Sequence, residues 1–481
     1  MGIVAAKNLS KDVITSLCMS DAIHVPLDSL RPAVPAAQSP AGWTFYIETF
    51  GCQMNDHDSE KVAGVLLRRG YRRVASPEEA RLVFYNTCSI REKAAHKVFS
   101  RLGAFDPKNN FGQDSGKVIG VLGCVAQQEG EKIFKRAPWV SLVCGSASYR
   151  KLPLLLARLE AGERRVTGLE TDTDETFETE LTRRDHPFRA YLTIIEGCDK
   201  SCTYCVVPYT RGPERSRASD AILREVRELA DVGYTELQLL GQTVNSYRDP
   251  SARHLAFSEL LLAVAEVAGI RRVRFMTSHP RDLGADIIDA IDASPALCDH
   301  IHLPVQAGST RVLRAMQRTY TRDAYLDKIS VIRRARRPIS ITTDIIVGFP
   351  GETESDFDET LTLLDAVQFD SVFAFQYSPR PNTAAAVMAD PVPEGEKVRR
   401  LQALLERQRG IQSQNNQRFV GQSFEVLVDG GSRRETQWIG RTSSNRTVNF
   451  ASSRQDLLGE YVRVRITGAG PNSLTGQECI E

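Results

Sequence analysis

Between residues 184 and 390 the sequence changes six times from a strand-like segment to a helix-like segment. The strand-like segments are apolar, rich in β-branched residues and bounded by turn-forming residues, and they lie at residues 190–196, 236–240, 273–277, 300–305, 340–347 and 371–377. Helical periodicity separates them, for example at residues 221–231, 258–268, 323–336 and 354–367. Strands that alternate with helices predict a parallel barrel, and six units instead of eight predict an open, partial (βα)6 barrel.

Two further blocks of sequence flank this region. Residues 43–159 also alternate strand and helix, with strands expected at 43–49, 81–86 and 117–122, which predicts a doubly wound parallel α/β domain. After a charged helix at 394–412, short strand-like segments separated by Gly, Ser and Asn predict a small antiparallel β-barrel. We therefore expect an α/β chain with domains at 43–159, 184–416 and 417–481, an acidic linker at 160–183 and a disordered extension at 1–42.

The charge balance excludes a polybasic protein, because 61 Lys and Arg oppose 60 Asp and Glu. Local basic patches for nucleic acid remain compatible with this balance. No apolar run reaches the roughly 18 residues of a membrane helix, and the N-terminus does not resemble a secretory signal. Ten cysteines in such a chain favour metal binding or chemistry over disulfides, so we expect a reducing compartment, the cytoplasm, and no membrane association.

Three cysteines form a Cys-x3-Cys-x2-Cys pattern directly after the first strand of the expected barrel. They are Cys198, Cys202 and Cys205. Barrel active sites lie on the loops that follow the strands. Three thiolates can bind three irons of a [4Fe–4S] cluster and leave the fourth iron open, whereas electron-transfer clusters have four cysteines. The alternative is a structural zinc site, which requires a fourth ligand, and no such ligand lies nearby in the sequence.

Three further cysteines, Cys52, Cys88 and Cys124, each follow a strand of the first block. The carboxyl ends of parallel strands meet at one crevice, so these thiols are expected to converge there. The alternative is that each is a buried, apolar cysteine. The other four, Cys18, Cys144, Cys298 and Cys479, fit no ligand pattern.

Many motifs in order resemble those of the radical S-adenosylmethionine methylthiotransferases, and most closely the MiaB-type tRNA methylthiotransferases. The similarity runs from Trp43 to the C-terminus, where the last block resembles a TRAM domain, an RNA-binding module. The motifs are the Cys198 loop with Tyr204, residues 49–55, 86–91 and 123–127 around the N-terminal cysteines, and residues 206–217, 240–247, 277–280, 302–306 and 344–353.

The resemblance implies two [4Fe–4S] clusters and two molecules of S-adenosylmethionine (SAM). The cluster on the Cys198 loop would cleave one SAM to a radical that removes hydrogen from C2 of an adenosine. The N-terminal cysteines would hold the second cluster, which receives a methyl group and supplies sulfur. The implied substrate is isopentenyl-adenosine at tRNA position 37, in the anticodon loop, and the product is 2-methylthio-isopentenyl-adenosine. An electron donor such as flavodoxin or ferredoxin, a sulfur carrier and a monomeric state are also expected.

Polar residues at the other strand ends are candidates for cofactor contacts. Gly241, Gln242 and Thr243 follow the second strand, where family members contact the methionyl amino group. Ser278 and Gln306 also end strands and could hold the carboxylate or ribose of SAM; ordinary turns and packing are the alternative.

Arg211, Arg215 and Arg217 follow the cluster loop and could bind RNA phosphates, since guanidinium is a planar, bidentate donor. A solvated surface patch is the alternative reading of these three residues.

Two functional alternatives remain. The same chemistry could act on threonylcarbamoyl-adenosine in tRNA or on a ribosomal-protein aspartate, although Gly51-Cys-Gln-Met-Asn55 resembles the isopentenyl-adenosine group. A protein of another class would be a non-catalytic RNA-binding protein with structural zinc or a redox-sensing cluster.

Overall fold

The computed structural model describes residues 42–89, 92–106, 108, 116–170, 182–389, 391–432 and 437–479. Residues 1–41 of the predicted disordered extension and residues 171–181 of the predicted linker therefore lie outside the described residues. The described chain falls into two compact units, residues 42–408 and 409–479. Among the described helices, none combines the length and apolar character needed to span a membrane.

A six-stranded, wholly parallel sheet begins the first unit. Its strands are β1 Thr44–Phe50, β2 Arg72–Arg73, β3 Leu82–Thr87, β4 Val118–Gly123, β5 Leu142–Cys144 and β6 Val166–Gly168. Its helices are α1 Gln53–Arg68, α2 Glu92–Gly103, α3 Cys124–Glu129, α4 Lys132–Arg136 and α5 Leu152–Glu160, with a 3-10 helix at Ser146–Lys151. The strand order is β2-β1-β3-β4-β5-β6.

Alternation along the strands supplies a core on each face of this sheet. Phe45 and Ile47 of β1 pack with residues of α1 and α5, whereas Tyr46 packs on the opposite core with residues of α2, α3 and α4. Burying apolar side chains on both faces is what stabilises a doubly wound sheet. The predicted doubly wound fold is confirmed.

One boundary predicted from composition is wrong. Residues 166–168 fall within the predicted linker at 160–183, but they form β6 and pair in parallel with β5. Val166 is 2% exposed and belongs to the core shared with α1 and α5. Strands of three residues are too short to show a periodicity, and the neighbouring charges conceal this one.

The central part of the first unit carries the βα units. Its strands are β7 Arg189–Thr193, β8 Ile195–Glu196, β9 Arg215–Ser216, β10 Glu236–Leu240, β11 Arg272–Phe275, β12 His300–His302, β13 Ser340–Val347 and β14 Ser371–Gln376. Its helices are α6 Val207–Arg211, α7 Ser219–Asp231, α8 Phe257–Ala265, α9 Ala285–Ala293, α10 Thr310–Ala315, α11 Arg322–Arg333 and α12 Glu354–Val367. Short 3-10 helices lie at Val244–Ser246, Pro280–Asp282 and Ala384–Val387.

Six of these strands form the predicted open barrel. They pair in parallel as β7-β10-β11 and as β12-β13-β14. A parallel bridge between Val273 and Leu297 links the two groups, so the strands follow one another in chain order. The carboxyl ends of all six strands therefore lie at one mouth, where barrel enzymes carry their sites.

The second unit contains a closed five-stranded barrel. Helix α13, Glu394–Gln417, precedes the strands β15 Ser423–Gly431, β16 Gln437–Thr442, β17 Thr447–Ala451, β18 Tyr461–Ala469 and β19 Leu474–Glu478. The barrel closes in the order β15-β16-β17-β19-β18 around a core that includes Val426, Val448, Phe450 and Val464.

The predicted antiparallel barrel needs one correction. Four neighbouring pairs are antiparallel, but β17 and β19 run parallel. The sequence pattern showed four strands and missed β19, in which only Leu474 is buried. This fifth strand inserts between β17 and β18, and its direction fixes the parallel pair.

Candidate active site: two groups of thiols

The first group of thiols lies on a loop that the short strands β8 and β9 close at its base. Ile195 pairs with Ser216 and Glu196 with Arg215, so residues 197–214 leave and return at one point. Gly197 has a φ of +76°, and a Cβ at this position would lie 1.9 Å from the carbonyl oxygen of Pro213. Only glycine allows the two ends of the loop to approach so closely.

We expect the substitution Gly197→Ala to destabilise the first unit by more than about 2 kcal/mol, because the energetic costs of the strained φ and of the backbone clash would add. Gly410→Ala is the matched control, since a Cβ there meets nothing within 4 Å. In the interior of α13 it is expected to be neutral or stabilising by about 0.5–1 kcal/mol. Urea denaturation followed by circular dichroism measures both, and equal midpoints for the two variants would contradict the close approach.

The thiols of Cys198, Cys202 and Cys205 lie close enough on this loop to influence one another electrostatically. Burial raises the pKa of Cys198 to about 11 and that of Cys205 to about 12. Such thiols keep their protons at neutral pH until a metal displaces them. The backbone N–H of Val207 donates to Cys205 Sγ at 3.5 Å, and Arg318 Nη1 donates to Cys202 Sγ at 3.4 Å. Buried thiols with N–H donors at sulfur fit an iron–sulfur cluster.

In the described part of the chain, no three His, Cys, Asp or Glu side chains are grouped as they would be around one metal ion. The thiols of a [4Fe–4S] cluster bind different irons and do not need that grouping.

The cofactor candidates lie beside this loop at the barrel mouth. A Cβ on Gly241 would lie 2.2 Å from Ile195 Cγ2, so the backbone after β10 packs directly on β8. Thr243 Oγ1 donates to Glu214 Oε2 at 2.9 Å, which ties the same turn to the cluster loop. Gln242 Oε1 and Ser278 Oγ are buried and have no hydrogen-bond partner among the residues that the structure describes. Such atoms fit a polar ligand, because buried polar groups are normally satisfied.

Two non-glycine residues at the mouth have backbones in the left-handed region. Thr277 has a φ of +67° and Gln306 a φ of +74°. Gln306 is held by its N–H to the Asp344 carbonyl at 2.9 Å and by its own carbonyl, which accepts from the Ile346 N–H at 2.8 Å. Strained residues of this kind cluster where proteins bind ligands. The contacts of Gly241, Gln242, Thr243, Ser278 and Gln306 with a cofactor stay predictions.

The second group of thiols lies at the carboxyl edge of the N-terminal sheet. Phe50 pairs with Thr87, and Thr87 pairs with Gly123, so three strands end in one row. Cys88 and Cys124 follow this row by one residue and Cys52 by two. A hydrogen bond with Cys88 lowers the pKa of Cys52 to about 6. The register thus brings together three cysteines that are distant in the sequence.

The surroundings of this second group also fit a bound cluster. Thr87 Oγ1 and Ser89 Oγ flank Cys88, are buried, and have no partner within the described residues. Asn86 Nδ2 donates to the Asn55 carbonyl and to Ser59 Oγ, both at 2.9 Å, which fixes α1 against β3. Hydroxyl donors beside thiolates are the kind of outer contact that metal clusters use.

The three other described cysteines lie on other elements of the fold. Cys144 lies in the sheet core, where burial raises its pKa to about 12. Cys298 is buried just before β12, and Cys479 lies half-buried in the second unit. Cys18 lies outside the described residues. That these four fit no ligand pattern stays a prediction.

The three arginines predicted as RNA contacts do not lie on an exposed rim. Their guanidinium groups pair with carboxylates: Arg211 with Asp58 at 2.5 Å, Arg215 with Glu196 at 3.6 Å and Arg217 with Glu225 at 2.5 Å. Arg211 and Arg217 are buried, and Arg215 is half-buried. The alternative of a solvated patch is therefore wrong, and RNA contact by these residues stays a prediction that their burial does not favour. Sequence reasoning could not find their partners, which lie up to 153 residues away.

The domain matches define the class of protein. Residues 44–145 match the uncharacterized protein family UPF0004, residues 192–364 the radical SAM superfamily and residues 417–477 the TRAM domain. A three-cysteine loop at the mouth of a partial barrel, together with these matches, defines a radical SAM protein.

Two relatives specify the family. A tRNA-2-methylthio-N(6)-dimethylallyladenosine synthase of Solibacter usitatus (strain Ellin6076) is 62% identical, over 91% of this chain and 98% of that protein. One of Koribacter versatilis (strain Ellin345) is 58% identical, over 92% and 99%. The chain belongs to the tRNA-2-methylthio-N(6)-dimethylallyladenosine synthase family. This confirms the predicted family, and because the family is one of enzymes, the non-catalytic alternative is wrong.

Solved structures support the fold. The radical SAM methyltransferase TsrM from Kitasatospora setae, with cobalamin and a [4Fe-4S] cluster bound, superposes with a TM-score of 0.54 at 13% identity. The superposition covers 72% of this chain and 77% of that one. A second structure of TsrM, with tryptophan and a SAM analogue, gives a TM-score of 0.52. At this identity the likeness extends to the fold alone.

Proposed function

We propose that this protein transfers a methylthio group to C2 of dimethylallyl-adenosine, also called isopentenyl-adenosine, at position 37 of tRNA. The observation that carries the proposal is the presence of two separate groups of three thiols in one compact unit. Iron–sulfur clusters and SAM are the cofactors of this chemistry, and one cluster for each thiol group is proposed here.

Each thiol group has its own part in the reaction. Cys198, Cys202 and Cys205 would hold the cluster that, with SAM on its open iron, supplies the radical for hydrogen removal. Cys52, Cys88 and Cys124 would hold the cluster that carries the sulfur to be transferred. Gly241, Gln242, Thr243, Ser278 and Gln306 would bind SAM, and the unsatisfied Gln242 Oε1 and Ser278 Oγ support this.

Helix α6 connects the two thiol groups over a short distance, which supports the transfer of sulfur from the second group to a substrate at the first. It begins two residues after Cys205, ends at Arg211, which pairs with Asp58, and packs against α3, which begins at Cys124. At 1.5 Å per residue this helix is only about 8 Å long. Sulfur held at the second group would therefore be within a short distance of an adenosine bound at the first.

The proposed partners follow from this chemistry. A tRNA substrate suits the TRAM domain at residues 417–477. On β18 of that barrel Arg463 and Arg465 are exposed and available to phosphate, whereas Phe450 lies in the barrel core and is not available for stacking. A reductant such as flavodoxin or ferredoxin, a sulfur carrier, a monomeric state and a cytoplasmic location complete the proposal.

Nucleoside mass spectrometry tests the proposal directly. Anaerobically reconstituted protein, SAM, a reductant and tRNA bearing isopentenyl-adenosine are expected to give 2-methylthio-isopentenyl-adenosine. Deoxyadenosine without this product would contradict the substrate and direct attention to threonylcarbamoyl-adenosine tRNA or the ribosomal-protein aspartate. Neither product, from protein confirmed to contain iron and sulfide, would contradict the radical chemistry itself.

A further inference from the structure

Helix α1 turns a charged face toward the barrel half of the first unit, and this face is buried. The buried residues of this face are His57, Asp58, Glu60 and Lys61, of which Lys61 is the most exposed at 8%. His57 Nδ1 and Thr193 Oγ1 are 2.7 Å apart, Glu60 pairs with Arg184 at 3.2 Å and Lys61 with Glu196 at 3.6 Å. Charges buried in this way are retained only with well-placed partners.

Among these partners, Arg211 is the one that links the Cys198 loop to the N-terminal thiol site. It ends α6, the helix that follows the Cys198 loop, and its Nη2 donates to Asp58 Oδ2 at 2.5 Å. Its guanidinium also acts electrostatically on the thiol of Cys124, the first residue of α3, which packs against α6. A guanidinium keeps its proton at neutral pH, so Arg211 carries a permanent charge. A positive charge from the barrel half thus lies beside the N-terminal thiol site.

We infer that Arg211 is a positioning residue of the N-terminal thiol site, where Asp58 aims its guanidinium at Cys124 and the pair sets the charge beside the sulfur-carrying cluster. This inference rests on the proposed function, because it assumes a cluster on Cys52, Cys88 and Cys124. It replaces RNA contact as the role of Arg211, since a side chain only 5% exposed and already paired cannot also reach a phosphate.

Charge near a cluster acts on its reduction potential. One-electron reduction makes a cluster more negative, so a nearby cation favours the reduced state and a nearby anion disfavours it. Removing Arg211 should therefore make the potential more negative, and removing the charge of Asp58 should make it less negative. A role limited to packing would not shift the potential in opposite directions for the two variants.

The full-length chain with Cys198, Cys202 and Cys205 replaced by alanine isolates the second cluster. Iron and sulfide are counted, and a reductive titration is followed by electron paramagnetic resonance. We expect Arg211→Gln to shift the midpoint to more negative values, Asp58→Asn to shift it to less negative values, and Arg211→Lys to stay nearest the parent. Arg274→Gln is the matched control, because Arg274 is a buried arginine paired with Glu236 at 3.1 Å, and it should leave the midpoint unchanged.

The outcomes separate this inference from the function on which it rests. A parent chain without the second cluster would contradict the proposed function. A parent with the cluster, and a midpoint that neither variant moves or that both move in the same direction, would overturn the inference alone. If Arg211→Gln does not accumulate as folded protein, Asp58→Asn decides, and an unchanged or more negative midpoint in that variant overturns the inference.

Discussion

Replacing Cys205 with alanine is expected to abolish the formation of deoxyadenosine from SAM. Cys205 is one of three thiols on the loop closed by β8 and β9, and its sulfur already accepts the Val207 N–H at 3.5 Å. With two thiols remaining, a second iron of the cluster has no protein ligand, so the cluster is lost or incomplete. Deoxyadenosine measured by liquid chromatography, with dithionite as reductant and no tRNA present, gives the rate.

Cys298→Ala is the matched control for this first variant. Cys298 is also buried, at 3% exposure, but it lies just before β12 and outside both thiol groups. It is expected to form deoxyadenosine at the parent rate. Cleavage of SAM that survives Cys205→Ala at the level of Cys298→Ala would contradict the assignment of the Cys198 loop to the radical cluster.

Replacing Cys88 with alanine is expected to separate the two halves of the chemistry. Cys88 follows β3 directly, one residue beyond the row formed by Phe50, Thr87 and Gly123, and it hydrogen bonds with Cys52. Without its thiol the second cluster loses a ligand, while the Cys198 loop keeps all three. Deoxyadenosine should still form, and the 2-methylthio product should fall to background in nucleoside mass spectrometry.

Cys144→Ala controls for the loss of a buried thiol from the same sheet. Cys144 ends β5 in the sheet core and is not a member of either thiol group, so both products are expected to persist. Methylthio product from Cys88→Ala in the amount given by Cys144→Ala would show that the transferable sulfur is held elsewhere. Loss of deoxyadenosine in Cys88→Ala would instead contradict the independence of the two thiol groups.

The central barrel was predictable because its elements obey local rules. The segments predicted at 236–240, 340–347 and 354–367 coincide with β10, β13 and α12. Buried parallel strands are continuous apolar runs, which a sequence displays directly. Helix α12 begins at a capping box, in which Thr353 Oγ1 accepts from the Asp356 N–H and the Asp356 side chain accepts from the Thr353 N–H.

The candidate site was predictable where it depends on strand ends and not where it depends on contacts between distant segments. Cysteines that follow parallel strands had to meet at one edge, whatever the details of packing. The partner of Arg211, in contrast, lies 153 residues away on α1, and no local pattern carries that information. One signal was available: α1 is polar around much of its circumference, and such a helix needs polar partners if it is buried.

The charged face of α1 also bears on how the chain is made. The N-terminal sheet leaves the ribosome before Arg184, Glu196 and Arg211, which later cover that face. Until then Asp58, Glu60 and Lys61 are hydrated, so the nascent half presents water-soluble charge there instead of an apolar patch that would associate with other chains. Because this contact is made by ion pairs, the half that would carry the sulfur can fold first. It can then stay soluble, without associating with other chains, until the half that would generate the radical has been made.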